Sequence, residues 1–190
     1  MLDLSKYKVI LASNSPRRKE LLTGLDFNYE IKVLPDIDES FPYYLQGADI
    51  AIHVARKKAD AYHPEDNALL ITADTMVLLE GEVYGKPKDE NDAKRMLRGL
   101  SGKTHIVATG VCITTKEKQR VFGVTSEVRF AKLEEDEIEY YVAKYKPLDK
   151  AGAYGVQEWI GYIAVEYISG SYYNIMGLPI QRLYQELKNF

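Results

Sequence analysis

Lys8-Val9-Ile10-Leu11-Ala12 runs directly into Ser13-Asn14-Ser15-Pro16-Arg17-Arg18, and this junction limits the folds open to the chain. The first five residues have the apolar, β-branched character of a short buried strand. Asn14 and Ser15 are N-cap types, and Pro16 suits the first helical position, where its missing N–H is not needed. A strand that gives way to a helix this abruptly opens a β–α unit. The helix start is also electrostatically unusual. Its first backbone N–H groups lack partners and carry the positive end of the macrodipole, which favours Asp or Glu in the first turn. Here that turn holds Arg17 and Arg18. Either both guanidinium groups turn away to surface carboxylates, or an external anion such as phosphate sits there. Such an anion would accept helix N–H groups, the Ser13 and Ser15 hydroxyls and a guanidinium fork.

Strands and helices alternate along the rest of the chain. The first helix should stop near Gly24, followed by a strand at Tyr29–Leu34, the acidic turn Asp36-Ile37-Asp38-Glu39 and a second helix from about Gly47 to Tyr62. Leu69–Leu79 reads as an apolar strand interrupted at Ala73-Asp74-Thr75, with a hairpin turn at Glu80-Gly81. A third helix, capped by Asp89, turns Ala93, Met96, Leu97 and Leu100 inward. His105–Thr115 and Arg120–Phe130 form a strand pair, covered by a helix at about Glu135–Lys144. After the glycine-rich corner Ala151–Gly155 come a strand at Trp159–Ile168 and a last helix from Pro179, with Ile180, Leu183, Tyr184 and Leu187 as its apolar stripe. No composition break divides this order, so it describes one α/β domain over residues 1–190, with room for two lobes around a cleft.

The 190 residues suffice for a core without disulfides, and 46% of them are apolar. A formal charge of -3 argues against gripping nucleic acid through a general basic surface, so any phosphate must be bound locally. The single cysteine, Cys112, suits a reducing cytoplasm, and no apolar run approaches the roughly 20 residues that span a bilayer.

Lys58 falls on the apolar face of the second helix among Ala51, Val54, Ala55 and Ala59. Its long stem either snorkels to water or its ammonium meets an anion. Asp74 lies inside an apolar strand, where an unpartnered carboxylate costs several kcal/mol, so it is paired, protonated, metal-bound or at a break in the strand. Asp36, Asp38 and Glu39 make a solvated turn on their own; with Asp74 they form an oxygen-ligand set suited to Mg²⁺ or Mn²⁺. Lys86 stands at a fixed hairpin exit between Gly85 and Pro87. There is no P-loop, no zinc spacing among His53, His63 and His105, and no Gly-x-Ser-x-Gly nucleophile motif.

An ordered set of motifs covers nearly the whole chain: Ala12-Ser13-x-Ser15-Pro16-Arg17-Arg18, Asp38-Glu39, Arg56-x-Lys58-Ala59, Ala73-Asp74-Thr75, Gly85-Lys86-Pro87, Leu100-Ser101-Gly102-x-Thr104-His105, Pro147-Leu148-Asp149-Lys150-Ala151-Gly152-Ala153-Tyr154-Gly155-x-Gln157 and Gly170-Ser171-Tyr172-x-Asn174-x-x-Gly177-Leu178-Pro179. It resembles the Maf family of nucleoside triphosphate pyrophosphatases. The resemblance implies an α/β fold like that of inosine triphosphate pyrophosphatase, with a long mixed sheet flanked by helices, two lobes around a central cleft, and a homodimer. The implied reaction is metal-dependent cleavage between the α and β phosphates of a nucleoside triphosphate, with Mg²⁺ or Mn²⁺ as cofactor and neither nucleic acid nor membrane as partner. Matched position by position, Asp74 resembles the base that activates water and Glu39 its companion carboxylate for the metal. Ser13, Arg18, Lys58 and Lys86 match the phosphate grip. Arg17, Thr75 and Gln157 match the positions that sort substrates, in the combination of the branch preferring dTTP and UTP. The competing reading is a non-catalytic nucleotide-binding regulator of septum formation, against which the pair Asp74 and Glu39 argues. Two departures, Thr72 where the family commonly has Gly and Trp159-Ile160 where small residues are common, bear on the base pocket.

Overall fold

The structure, a computed structural model, describes residues 2–190. Among them, seven strands form one mixed sheet in the order β2-β1-β3-β5-β6-β7, with β4 attached to β3. The chain divides into two compact units. The first gathers the residues up to Asp74, then Thr109–Val124 and Gly177–Phe190; the second holds Thr75–Ala108 and Thr125–Met176.

In the first unit, β1 (Lys8–Leu11) leads into α1 (Pro16–Thr23) and then into β2 (Glu30–Ile31), which lies parallel to β1 with Ile10 beside Glu30. The expected strand at Tyr29–Leu34 shrinks to these two residues. Beyond them the Tyr62 hydroxyl takes over as partner, donating to the Lys32 carbonyl and accepting the Leu34 N–H at 3.0 Å. Helix α2 (Ala48–Asp60) then returns the chain to β3 (Ala68–Leu79), whose Ala68–Ile71 run parallel to Lys8–Leu11. Ala51, Ala55 and Ala59 are fully covered, so the helix approaches the sheet closely. At Gly110 a Cβ would fall 2.2 Å from the Ala51 carbonyl oxygen, so only glycine permits this approach. Cys112 lies in the buried cluster under α2 with Ala55, Ala59 and Leu70. The C-terminal helix, Ile180–Lys188, buries Leu183 and Leu187, the inner half of the expected stripe.

In the second unit, β3 turns at Glu80 and Gly81, both at positive φ, into the antiparallel β4 (Glu82–Tyr84). Mirror-image turns of this kind match the twist of the strands they join. Helix α3 (Glu90–Leu100) starts at Asp89, whose side chain accepts the Asp92 N–H at 2.8 Å, and buries the four expected residues Ala93, Met96, Leu97 and Leu100. Strands β5 (Thr104–Thr114) and β6 (Gln119–Phe130) each have residues in both units, as does β3. Helix α4 (Glu135–Tyr145) begins with a capping box between Glu134 and Glu137.

The stretch Trp159–Ile168 departs from the expected strand. It forms a short helix, α5 (Trp159–Ala164), and only then β7 (Val165–Ser169), antiparallel to β6. Ile160 and Ala164, four apart, are fully buried, whereas Tyr162 between them is exposed. That is helical spacing. Gly161 makes the turn possible, because a Cβ there would lie 1.9 Å from the Val156 carbonyl oxygen. A second short helix, Tyr172–Met176, follows β7 and was not expected from the sequence pattern. Its Asn174 is buried and donates to the Val107 carbonyl at 3.1 Å and the Ser126 hydroxyl at 3.0 Å. His105 is also buried here, its Nε2 2.8 Å from the Tyr154 hydroxyl and its ring edge-on to Phe130. Among the described residues, no helix is long and apolar enough to cross a membrane.

Candidate active site

Helix α2 lies on β3 residue by residue. The Thr72 hydroxyl donates to the Ala55 carbonyl at 2.7 Å, and two residues further along the strand Asp74 meets Lys58, three residues further along the helix. The strand period of two and the helix period near 3.6 keep both pairs on the facing surfaces. Lys58 Nζ lies 2.7 Å from Asp74 Oδ1 and 3.0 Å from Glu39 Oε1. The alternatives left open for Lys58 and Asp74 thus resolve into each other: the ammonium does not snorkel, and the carboxylate is paired. The expected interruption of β3 is absent, since the strand continues through Asp74 with the residues on both sides assigned to it. Pairing replaces a kink because it compensates the buried charge where it stands. The Thr72 side chain, fully buried, ties the helix to the strand.

The acidic turn divides between two lysines. Glu39 goes to Lys58, while Asp38 stays exposed and accepts from Lys57 at 2.5 Å and from the Ser40 backbone and hydroxyl. Those hydrogen bonds, Lys57's above all, hold the Asp38 carboxyl below its ordinary range. Of this turn, Glu39 is the residue that shares a cation with Asp74. Among the described residues, no group of three or more His, Cys, Asp or Glu side chains is arranged to hold a metal ion.

At the start of α1, the Ser15 side chain accepts the Arg18 N–H at 3.4 Å, and the Ser15 N–H donates to the Ser13 hydroxyl at 3.2 Å. Ser15 and Pro16 thus take the cap and first-turn places the sequence assigned them. Arg18 turns inward, its Nε donating to the Gly177 carbonyl at 2.8 Å. Burial pushes its guanidinium pKa down, the Asp74 charge pulls it back up, and the neighbouring Arg17 pushes it down again. Arg18 therefore shares the electrostatic environment of Asp74, and Ser13, Arg17, Arg18, Glu39, Lys58 and Asp74 all belong to the first unit.

The second unit carries Thr75, Lys86 and Gln157. Lys86 is exposed just after β4, and the carbonyl of Gly85 before it accepts the Gly152 N–H at 3.1 Å. This bond ties the glycine-rich corner to the strand exit that bears Lys86. Gly152 has φ of 68°, and a Cβ there would lie 2.9 Å from a Val77 methyl. Gln157 stands beyond the corner, just before α5. Its Oε1 is buried and has no hydrogen-bond partner. The Trp159 ring packs edge-on against Tyr140, 4.8 Å between centroids. Three further residues to which no role was read from the sequence meet around this corner: Glu158 accepts from the Tyr141 hydroxyl and pairs with Lys150.

Comparison with known proteins adds to this geometry. The family model described as Maf-like protein matches residues 8–190. The chain belongs to the Maf-like protein family. This Maf-like chain is 61% identical to a dTTP/UTP pyrophosphatase of Bacteroides thetaiotaomicron, over 98% of the chain and 97% of the relative. It is 60% identical to the dTTP/UTP pyrophosphatase of Bacteroides fragilis, over 99% and 98%, and 47% identical to that of Flavobacterium psychrophilum, over 96% and 94%. Its fold is similar to that of the Staphylococcus aureus Ham1 protein, with a TM-score of 0.54 at 19% identity, covering 96% of this Maf-like chain and 98% of the other. A HAM1 protein from Coxiella burnetii gives the same TM-score at 16% identity, over 97% and 100%. These two likenesses bear out the expected mixed-sheet α/β fold.

Proposed function

We propose that this chain hydrolyses dTTP and UTP to the nucleoside monophosphate and pyrophosphate. The observation that carries the reading is the half-buried Lys58 ammonium held between Glu39 and Asp74, next to the Ser13–Arg18 helix start, in a chain whose relatives, matched over nearly their whole length, bear that activity in their names. A triphosphate brings roughly four negative charges, and Arg18, Lys58 and Lys86 are the cations assigned to it, with the Ser13 hydroxyl and the first N–H groups of α1 as neutral donors. Lys58 occupies Asp74 Oδ1, which leaves Oδ2 to take the proton of a water attacking the α-phosphorus. The new P–O bond forms as the bond from the α-phosphorus to the bridging oxygen breaks. The electron pair leaves with pyrophosphate, whose growing charge the cations stabilise.

Glu39 and Asp74, which share the Lys58 ammonium, suit a cation that uses one or two protein carboxylates plus substrate phosphates, as Mg²⁺ does. Glu39 and Asp74 would hold it, and when bound it would supply Lewis-acid neutralisation of the phosphate oxygens. Arg17, Thr75 and Gln157 are assigned to the base, where the buried, unpartnered Gln157 Oε1 favours a base edge that carries a donor.

The test is product identification. UTP or dTTP incubated with the protein and Mg²⁺ or Mn²⁺ should give the monophosphate and pyrophosphate in equal amounts by ion-exchange chromatography. Orthophosphate with UDP or dTDP would refute the cleavage site.

A further inference from the structure

The Gly155–Glu158 turn is pinned at both ends to one pair of side chains. The Tyr141 hydroxyl accepts the Gly155 N–H at 3.1 Å and donates to Glu158 Oε2. Glu158 Oε1 accepts from Lys150 Nζ at 3.2 Å, and the same ammonium donates to Asp149 at 2.8 Å. Across the turn the Glu158 N–H donates to the Gly155 carbonyl at 3.0 Å. Gly155 packs so closely on the carboxylate that a Cβ would fall 2.8 Å from Glu158 Cδ. Tyr141 is completely buried and Lys150 nearly so, which means that neither the hydroxyl nor the ammonium can exchange these partners for water. Burial, and then the Glu158 carboxylate, push the Tyr141 hydroxyl well above the ordinary phenol range, so it stays a donor.

Inside this pinned turn stands Gln157, with its orphan acceptor Oε1. A buried acceptor left unpaired is costly, and a ligand donor relieves it. The imide N3–H of uracil and thymine is such a donor. Cytosine presents an acceptor at the same ring position. Resting on the proposed dTTP/UTP reading, we propose that Tyr141, Lys150 and Glu158 are positioning residues for base selection: they lock the turn so that the Gln157 carbonyl oxygen meets the imide N–H of a uracil or thymine base.

The experiment compares kcat and KM for UTP and CTP in the full chain and in two variants, Tyr141→Phe and Glu158→Gln. Tyr141→Phe removes the hydroxyl that joins the ends of the turn. It should raise KM for UTP about tenfold with kcat nearly unchanged and leave CTP unaffected, so the UTP/CTP ratio of kcat/KM falls about tenfold. Glu158→Gln keeps an oxygen for the Tyr141 hydroxyl and loses the charge opposite Lys150; its ratio should fall less, about threefold. A role in stability alone would lower both substrates together and leave the ratio intact. An unchanged ratio in both variants overturns the clamp, and if Tyr141→Phe does not fold, the Glu158→Gln ratio decides alone. A wild-type chain that does not favour UTP over CTP instead overturns the dTTP/UTP reading, and the clamp with it.

Discussion

The Lys58 contacts allow a prediction in which one substitution changes sign with its background. Two unit charges 2.7 Å apart attract by about 6 kcal/mol at an effective dielectric constant near 20. The side chains of Lys58 and Asp74 are only 13% and 11% exposed, yet Glu39 is 49% exposed, and solvent there screens the second contact. Desolvation of both ions takes back much of the attraction, leaving about 2 to 3 kcal/mol, the range for hydrogen bonds between charged groups. Lys58→Met keeps the apolar stem and should cost about that much, because it leaves two carboxylates facing each other with no cation between them. Asp74→Asn alone should cost about 1 kcal/mol, since the amide oxygen still accepts from Lys58 and Glu39 still balances its charge. In the Lys58→Met background, Asp74→Asn removes a repulsion and should stabilise. Urea unfolding of the four proteins closes the double-mutant cycle, with an expected coupling of about 2 kcal/mol. Turnover should fall by about a hundredfold or more in every protein that carries Asp74→Asn, whatever its stability. Additive stabilities, or an Asp74→Asn that destabilises equally in both backgrounds, would refute the argument that one ammonium compensates both carboxylates.

Burial lowers the His105 imidazole to about 4 from its ordinary 6.5, so the unfolded chain binds a proton there before the folded chain does. Stability should be unaffected by this group above about pH 6.5 and should be lost as pH falls from there toward 4, by about 3 kcal/mol in all; the loss should be absent in His105→Gln, measured by urea unfolding at pH 7 and 4.5. Thr72→Val should cost about 1 kcal/mol for the lost bond to Ala55 while leaving the UTP/CTP ratio of kcat/KM unchanged, and a changed ratio would put Thr72 back in the base pocket.

Much of this molecule was legible where short-range chemistry decides the outcome. The Ser15 cap, the Asp89 cap, the inner face of α3 and the Glu80-Gly81 turn follow from residue types a few positions apart, and the structure has all four. Lys58 and Asp74 were each conspicuous as charges on apolar faces. Their mutual pairing was not, because it depends on how α2 registers on β3, which no local pattern encodes. The run Trp159–Ile168 misled for a different reason. A short apolar stretch satisfies both periods, and the choice fell to Gly161, whose missing side chain lets the backbone fold onto Val156. The Tyr141–Glu158 contact joins residues 17 positions apart on separate elements and leaves no sequence signature.

The covered cluster beneath α2 has a practical consequence for anyone who handles this protein. Cys112 is its single thiol, fully buried among Ala55, Ala59 and Leu70, and burial raises its pKa to about 11. Folded protein should therefore be inert to alkylating reagents at neutral pH, since the thiolate is both scarce and covered. Modification proceeds only when that cluster opens to solvent. The chain carries its own clock for that event: the rate at which iodoacetamide marks Cys112 counts how often the cluster beneath α2 is exposed, with no label engineered in.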